Sequence, residues 1–409
     1  MGSIISRVYR AFAPPEVEKR SDAIRFGILG AAGIAPMALI YPAKSHPEVI
    51  VQAVAARNRE RAEKFAKAHG IPDVRTSYEA IINDPNIDAV LVPLPNGLHF
   101  EWAVRALRAG KHVLLEKPSV SNSREAEVLF NLPELAQPNG PVLLEAAHNR
   151  FHPSWLLFRS LFDPADVTHV FTDSMIPWWA TSKDDIHFNY EVAGGSLMAM
   201  GCYSFAVMRE VFGAEPTGCI DCTTHHYTDG IHDKCDWDFQ AKFSFPNGGI
   251  GEATSTLRGP TAWKPSHVAA TTRQMRVADS KLPSDHQKFR TRKITLHGYI
   301  QAIAWHRIDV VDSFEIRKGS GHIVKQWTER KSHKAYTFKE AGGQFAGLPG
   351  EPWWMSYRYQ LEEFVNRVKD RKTQTWISHE DSINNMKMVD MAYEKSGLGP
   401  RPSGAFKAG

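Results

Sequence analysis

The sequence predicts an α/β protein in two parts: a doubly wound parallel sheet over residues 23–150, then an α+β domain over 151–409 with a large, mostly antiparallel open sheet. Three observations support this. Short apolar runs alternate with amphipathic helical patterns as far as Arg150, as in a parallel sheet covered on both faces. Beyond Arg150 the alternation stops, and Thr, Phe and Trp gather around hairpin pairs such as Asn247-Gly248. Two helical patterns, 353–371 and 378–397, then close the chain.

Residues 1–22, which include "APPEVEKRSD", are polar and proline-containing and read as a flexible tail. "IRFGILG" is the first strand and "IAPMALIYPAKS" its helix; "VIVQAVAA" and "NRERAEKFAKAHG" repeat the pairing. "SYEAIIND" leads into "IDAVLVPLP", "LHFEWAVRALRAG" into "KHVLLEKP", and a further helix into "PVLLEAAHNR". Right-handed crossovers make these runs one doubly wound sheet. In the last helix Ser378 is the expected cap and Gly397 the stop.

A chain of 409 residues exceeds one core and implies two domains. A net charge of +4 with scattered basic residues argues against a nucleic-acid partner. No apolar run approaches the roughly 18 residues a membrane span needs. Four cysteines in so long a chain point to a reducing compartment, the cytoplasm. Cys219, Cys222 and Cys235 lie near His225, His226 and His232, a set that could bind zinc. The same stretch reads better as a hairpin turning at Asp229-Gly230, and no metal is assigned. The start, "MGSIISRVYR", fits the acylation pattern through Gly2 and Ser6, with Arg7 and Arg10 behind. An N-myristoyl group on Gly2 would anchor the protein weakly and reversibly to a membrane. So short a pattern also arises by chance, and the unmodified tail stands as the alternative.

"GILGAAGIA" follows the first strand and opens the first helix, the setting of a dinucleotide-binding loop. Gly30 permits the tight turn. Ala31, Ala32, Gly33 and Ile34 are its continuation; Ala32 and Ala35, where many such loops carry glycine, are small enough for a pyrophosphate to approach a helix amino terminus. At the second strand's end an NAD site usually carries an acid for the ribose 2′-hydroxyl. This chain has Arg57, Asn58 and, a turn on, Arg61. A guanidinium there can pair with a 2′-phosphate, so NADP is expected over NAD. Further along, Glu116, Lys117 and Pro118 end a buried strand, where open α/β sheets bind their ligands.

"GILGAAGIA", "VPLPNGLH", "AGKHVLLEKP", "EAAHNRFHP", "GGSLMAMGCY" and "YRYQLEEFV" together resemble the glucose–fructose oxidoreductase/inositol dehydrogenase (Gfo/Idh/MocA) family, over nearly all of residues 24–400. Within it the chain is most similar to dimeric dihydrodiol dehydrogenases and NADP-dependent D-xylose 1-dehydrogenases of the fungal type. The resemblance implies an amino-terminal Rossmann domain and a second domain whose open sheet forms the interface of a homodimer. It implies hydride transfer between NADP and a small molecule, either a D-xylose-like aldose or a trans-dihydrodiol. Lys117 inherits a place beside the nicotinamide and substrate, with Glu116 expected to hold its ammonium. Pro93, Leu94, Pro95, Asn96 and His99 should form the nicotinamide-side wall. Tyr203 matches the family's proton-transferring tyrosine, its phenolate favoured by Lys117. Ala199 stands where the family places Asp, and His187 where close relatives often carry Arg. His148, Arg150 and His187 join Tyr203 as substrate candidates; His152 and the pair Trp178-Trp179 are weaker ones, the tryptophans being more often core. The missing Asp keeps open a rival from another class, a cofactor-binding regulatory protein with little turnover. Redox-neutral glycosidase chemistry on retained NAD is a third reading, which Arg57 disfavours.

Overall fold

Alternate residues of the first strands feed two different cores, because a strand's side chains point by turns to opposite faces. The computed structural model describes residues 4–182, 185–226, 234–260, 264–302, 305–319 and 321–408. Its first sheet contains β1 (Ile24–Leu29), β2 (Val49–Ala55), β3 (Asp73–Val74), β4 (Ala89–Val92), β5 (His112–Leu115) and β6 (Leu143–Glu145). They pair in parallel in the order β3-β2-β1-β4-β5-β6. In β4, Val90 and Val92 face Val104, Leu107 and Leu129. Ala89 and Leu91 face the opposite layer with Leu39, Leu361 and Phe364. The two-residue β3 is too short for an apolar pattern to reveal.

The second sheet contains β7 (Val167–Pro177), β8 (Gly218–His226), β9 (Asp236–Ser244), β10 (Ile250–Gly259), β11 (His267–Thr272), β12 (Met275–Val277), β13 (His286–His297), β14 (Arg307–Lys318) and β15 (His322–His333). The order is β15-β14-β13-β11-β7-β10-β9-β8, with β12 beside β13. All pairs are antiparallel except β7 with β10. Gly248, with φ +79°, makes the turn between β9 and β10, and the Asn247 side chain accepts from Gly249 N. The proposed turn Asp229-Gly230 and His232 lie outside the described residues. Among the described residues no three His, Cys, Asp or Glu side chains are grouped to hold a metal ion, and no helix is long and apolar enough to cross a membrane.

Helix Cys202–Phe212 lies on this sheet. Phe205 packs its ring against Phe243 with centroids 5.1 Å apart, and Phe212 stacks on Phe245 at 3.9 Å. A Cβ on Gly251 would come within 2.2 Å of the Met208 sulfur, so the helix sits close because that strand position is glycine. The last helix, His379–Ser396, begins at a Ser378 cap and ends at Gly397, φ +83°, as expected.

Three features depart from the expected organisation. Residues 4–12 are helical, with Arg7 and Ala11 buried and the Arg7 guanidinium 3.7 Å over the Tyr336 ring; the polar look of 13–22 concealed an amphipathic start. Helix Ser356–Val368 lies on the first sheet, Phe364 meeting Phe26 at 5.7 Å. A boundary at 150/151 therefore divides the sequence but not the layers. Finally, residues 401–408 return to the first domain: Gly404 N donates to Glu125 at 2.8 Å, Phe406 meets Phe100 at 6.0 Å, and Arg108 donates to Ala408 O.

Candidate active site

The site begins where the strand order reverses, at the carboxyl ends of β2, β1 and β4, the usual ligand crevice of an open α/β sheet. Gly30 leaves β1 with φ +113°, and its N–H donates to Ala55 O at 2.7 Å. A Cβ there would press on Leu94 at 3.0 Å, whereas around Gly33 there is only open space. Ala31, Ala32 and Gly33, then Arg57, Asn58 and Arg61, then Pro93, Leu94 and Pro95 line a cleft of about 480 Å³, with Tyr78 at the back and Ser182, Asp185 and Ile186 on the rim. This small-residue cradle, open at Gly33 and flanked by two guanidinium groups, fits a dinucleotide with a charged ribose. Asn58 caps the helix Arg59–His69 by accepting from Arg61 N at 2.9 Å, and Arg61 donates to Ala31 O at 3.0 Å. Arg57 is exposed on the cleft wall. Ile34 instead packs into the layer below.

The reacting end is built from four distant segments. Lys117 follows β5, its bond to Pro118 is cis, and its ammonium donates to Ala199 O at 3.2 Å. Ala199 lies in the π-helical turn Leu197–Gly201. The same ammonium stands 4.8 Å from the centre of the Tyr203 ring. The Tyr203 hydroxyl meets His148 Nε2 at 2.9 Å, and His148 Nδ1 meets Ser356 Oγ at 2.7 Å. His148 stacks on Tyr357 at 3.8 Å.

Burial, then the positive charge of Lys117, holds His148 down at about 3, so its ring is neutral. Burial, followed by Tyr357 and Glu116, pushes the Tyr203 phenol well above its ordinary value. The expected phenolate is therefore not favoured; the ammonium stands over the ring and hydrogen-bonds the Ala199 carbonyl. The Tyr203 oxygen has His148 Nε2 as its hydrogen-bond partner instead.

Several expected contacts are turned elsewhere. His99 is fully buried with both ring nitrogens on carbonyls, Leu94 O at 2.7 Å and Pro118 O at 2.9 Å. It is a clamp between the cleft wall and the Lys117 loop, not a cofactor contact. Asn96 donates to Ala193 O at 2.8 Å, bridging to the second part of the chain. Arg150 is consumed by Glu210 and Asp381, which reach it from helix Cys202–Phe212 and the last helix. His152 is buried with Ser154, Nδ1 to Oγ 2.8 Å. His187 pairs with Asp185 on the cleft rim. Trp178 and Trp179 are exposed, contrary to the core expectation. Ser356 and Tyr357 escaped the sequence reading, since nothing in a helix start signals its partner on another helix.

Glu116 does not hold the ammonium by a hydrogen bond; it accepts from Lys117 N at 3.3 Å, and its second oxygen is buried without a hydrogen bond. Burial raises its pKa to about 7, against the pull of Lys117. Between its ordinary 4.5 and about 7 the folded protein keeps a proton that the unfolded chain releases, so stability falls as pH rises through this window. Glu116→Gln should remove that loss: melting temperatures of the two forms lie close near pH 4.5, and the variant gains on the order of 3 kcal/mol above pH 7. Parallel stability curves would refute the burial argument.

Residues 24–140 match a family model described as an oxidoreductase family with an NAD-binding Rossmann fold. A D-xylose 1-dehydrogenase (NADP(+)) of Haloferax volcanii is 30% identical over 380 residues, covering 91% of this chain and 98% of that protein. A trans-1,2-dihydrobenzene-1,2-diol dehydrogenase of Sus scrofa is 29% identical, covering 58% of this chain and 68% of its own length. Among solved structures, a 3-ketoreductase from Actinomadura kijaniata, crystallised with NADP and TDP-benzene, aligns with a TM-score of 0.65 at 22% identity, covering 91% of this chain and 98% of that one. That likeness extends the fold correspondence to both sheets.

Proposed function

Because this chain belongs to the Gfo/Idh/MocA oxidoreductase family, we propose that it is an NADP-dependent dehydrogenase passing a hydride between the nicotinamide and a small alcohol, either a D-xylose-like aldose or a trans-dihydrodiol. The observation that carries this reading is the meeting of Lys117, Tyr203 and His148 beside the dinucleotide cleft, with His99 tying the wall at Leu94 to Pro118. Bound in the cleft, NADP would supply the hydride acceptor or donor. Lys117, whose ammonium needs no proton exchange to act, would hold the reacting oxygen and stabilise the charge that develops there. Tyr203 would take the alcohol proton on its oxygen while passing its own to His148 Nε2, and the imidazole, held neutral, would release its Nδ1 proton toward Ser356 Oγ, from which it leaves to water. A neutral imidazole with a hydroxyl at each nitrogen can carry its proton on either, so the same chain runs in reverse for reduction. The carbonyl of Ala199 accepts from the ammonium where a family carboxylate is missing.

The preference for NADP rests on Arg57. Charge-assisted contacts to a 2′-phosphate contribute about 1.5–3 kcal/mol, so NADP should bind more than about tenfold tighter than NAD. Titration of both cofactors into wild type and Arg57→Ala checks this; the variant should lose most of the difference, and equal wild-type affinities would refute it. The substrate class is tested by NADPH formation across aldoses, polyols and trans-dihydrodiols. No turnover over that panel, with NADP still bound, would favour the regulatory cofactor-binding alternative. The reading includes a homodimer, a cytoplasmic location and an acyl group on Gly2, a residue outside the described ones.

A further inference from the structure

We propose that the amino-terminal helix Ile4–Phe12 is a membrane-contacting element, lying on a lipid bilayer through Ile5, Tyr9 and Phe12. Its inner side is committed: Arg7 and Ala11 are buried, and the Arg7 guanidinium is 3.7 Å over Tyr336. That anchorage turns the opposite side outward, where Ile5 is 80% and Tyr9 70% exposed, with Phe12 also exposed. Residues 5, 9 and 12 fall on one helical face. A nine-residue helix that shows its largest apolar side chains to water is anomalous unless something covers them.

A bilayer fits this face better than a second copy of the chain. Three side chains offer a few hundred Å², far less than the about 800 Å² per partner of a stable protein interface. Residues 1–12 contain no acidic group, and Arg10 flanks the stripe, which suits anionic headgroups. Tyr9 has the apolar body and polar tip of an interfacial residue. The helix starts two residues after Gly2, so an acyl group there would enter the lipid from the same end. One myristoyl chain alone binds only marginally, with a constant of about 10⁴ M⁻¹, and stable attachment needs a second signal. The stripe supplies it.

The test is vesicle co-sedimentation of the full chain, with and without N-myristoylation, on phosphatidylcholine alone and mixed with phosphatidylserine. The acylated wild type should partition to the mixed vesicles. Ile5→Asp with Tyr9→Asp should reduce partition at least about tenfold, and the milder Ile5→Ser with Tyr9→Ser should fall between. Gly2→Ala should retain weak, salt-sensitive binding through the stripe. Because the stripe touches no part of the active site, substrate turnover measured in parallel is expected to be unchanged and also shows that the variants fold. Failure of the dehydrogenase reading would leave the vesicle result standing, and the reverse. Equal partition of acylated wild type and the aspartate variant, or no partition of either, overturns the proposal. So does a wild-type oligomer that the stripe variant dissociates, which would assign the face to a second copy.

Discussion

Lys117→Met is expected to lower turnover by at least about a hundredfold while leaving NADP affinity within about twofold of wild type. Methionine keeps the unbranched stem but removes the donor that reaches Ala199 O and the charge above the Tyr203 ring. Binding should persist because the cradle at Gly30–Gly33 and the arginines of the second crossover lie apart from the lysine along the cleft. Steady-state kinetics on the best substrate of the panel, with cofactor titration by fluorescence, separate the two effects. Activity above a tenth of wild type would remove Lys117 from the mechanism. A proportional loss of cofactor affinity would make it a binding residue instead.

Tyr203→Phe should fall by a comparable factor, and His148→Phe by about 10- to 100-fold. On the proposed mechanism the first change deletes the oxygen that would meet substrate; the second leaves that oxygen but removes the imidazole it hydrogen-bonds. Since His148 is held neutral down to about 3, the wild-type pH–rate profile should lack an acid limb near the ordinary histidine value. A phenylalanine at 148 preserves the stack on Tyr357, so packing loss does not account for the effect. If His148→Phe retains more than half of the turnover, the imidazole lies outside the proton path and Tyr203 acts without it.

What was legible in the sequence is what short-range chemistry encodes. Apolar runs of four to seven residues ending at Gly30, Arg57 and Lys117 announced the first sheet and its cleft, because strand ends and turn residues are local signals. Asn247-Gly248, Ser378 and Gly397 were legible for the same reason. The site's partners were not. His148 finds Tyr203 across 55 positions and Ser356 across 208, and no spacing rule reaches that far. Arg150 illustrates the converse error: a basic residue just past a strand looks available until Glu210 and Asp381 arrive from remote helices. His99 is placed at the cofactor by the family resemblance alone, yet two carbonyls claim its ring.

The return of helix 356–368 to the first sheet bears on what an isolated piece of the chain could do. A fragment ending near residue 150 would keep every strand of the parallel sheet but lose the cover over Phe26. It would show water a broad apolar face and tend to aggregate. The first sheet is thus complete in topology but not in burial, since helix Ser356–Val368 supplies part of its cover. Folding of the amino-terminal part is then coupled to the arrival of residues 356–368, the same segment that brings Ser356 and Tyr357 to the reacting end.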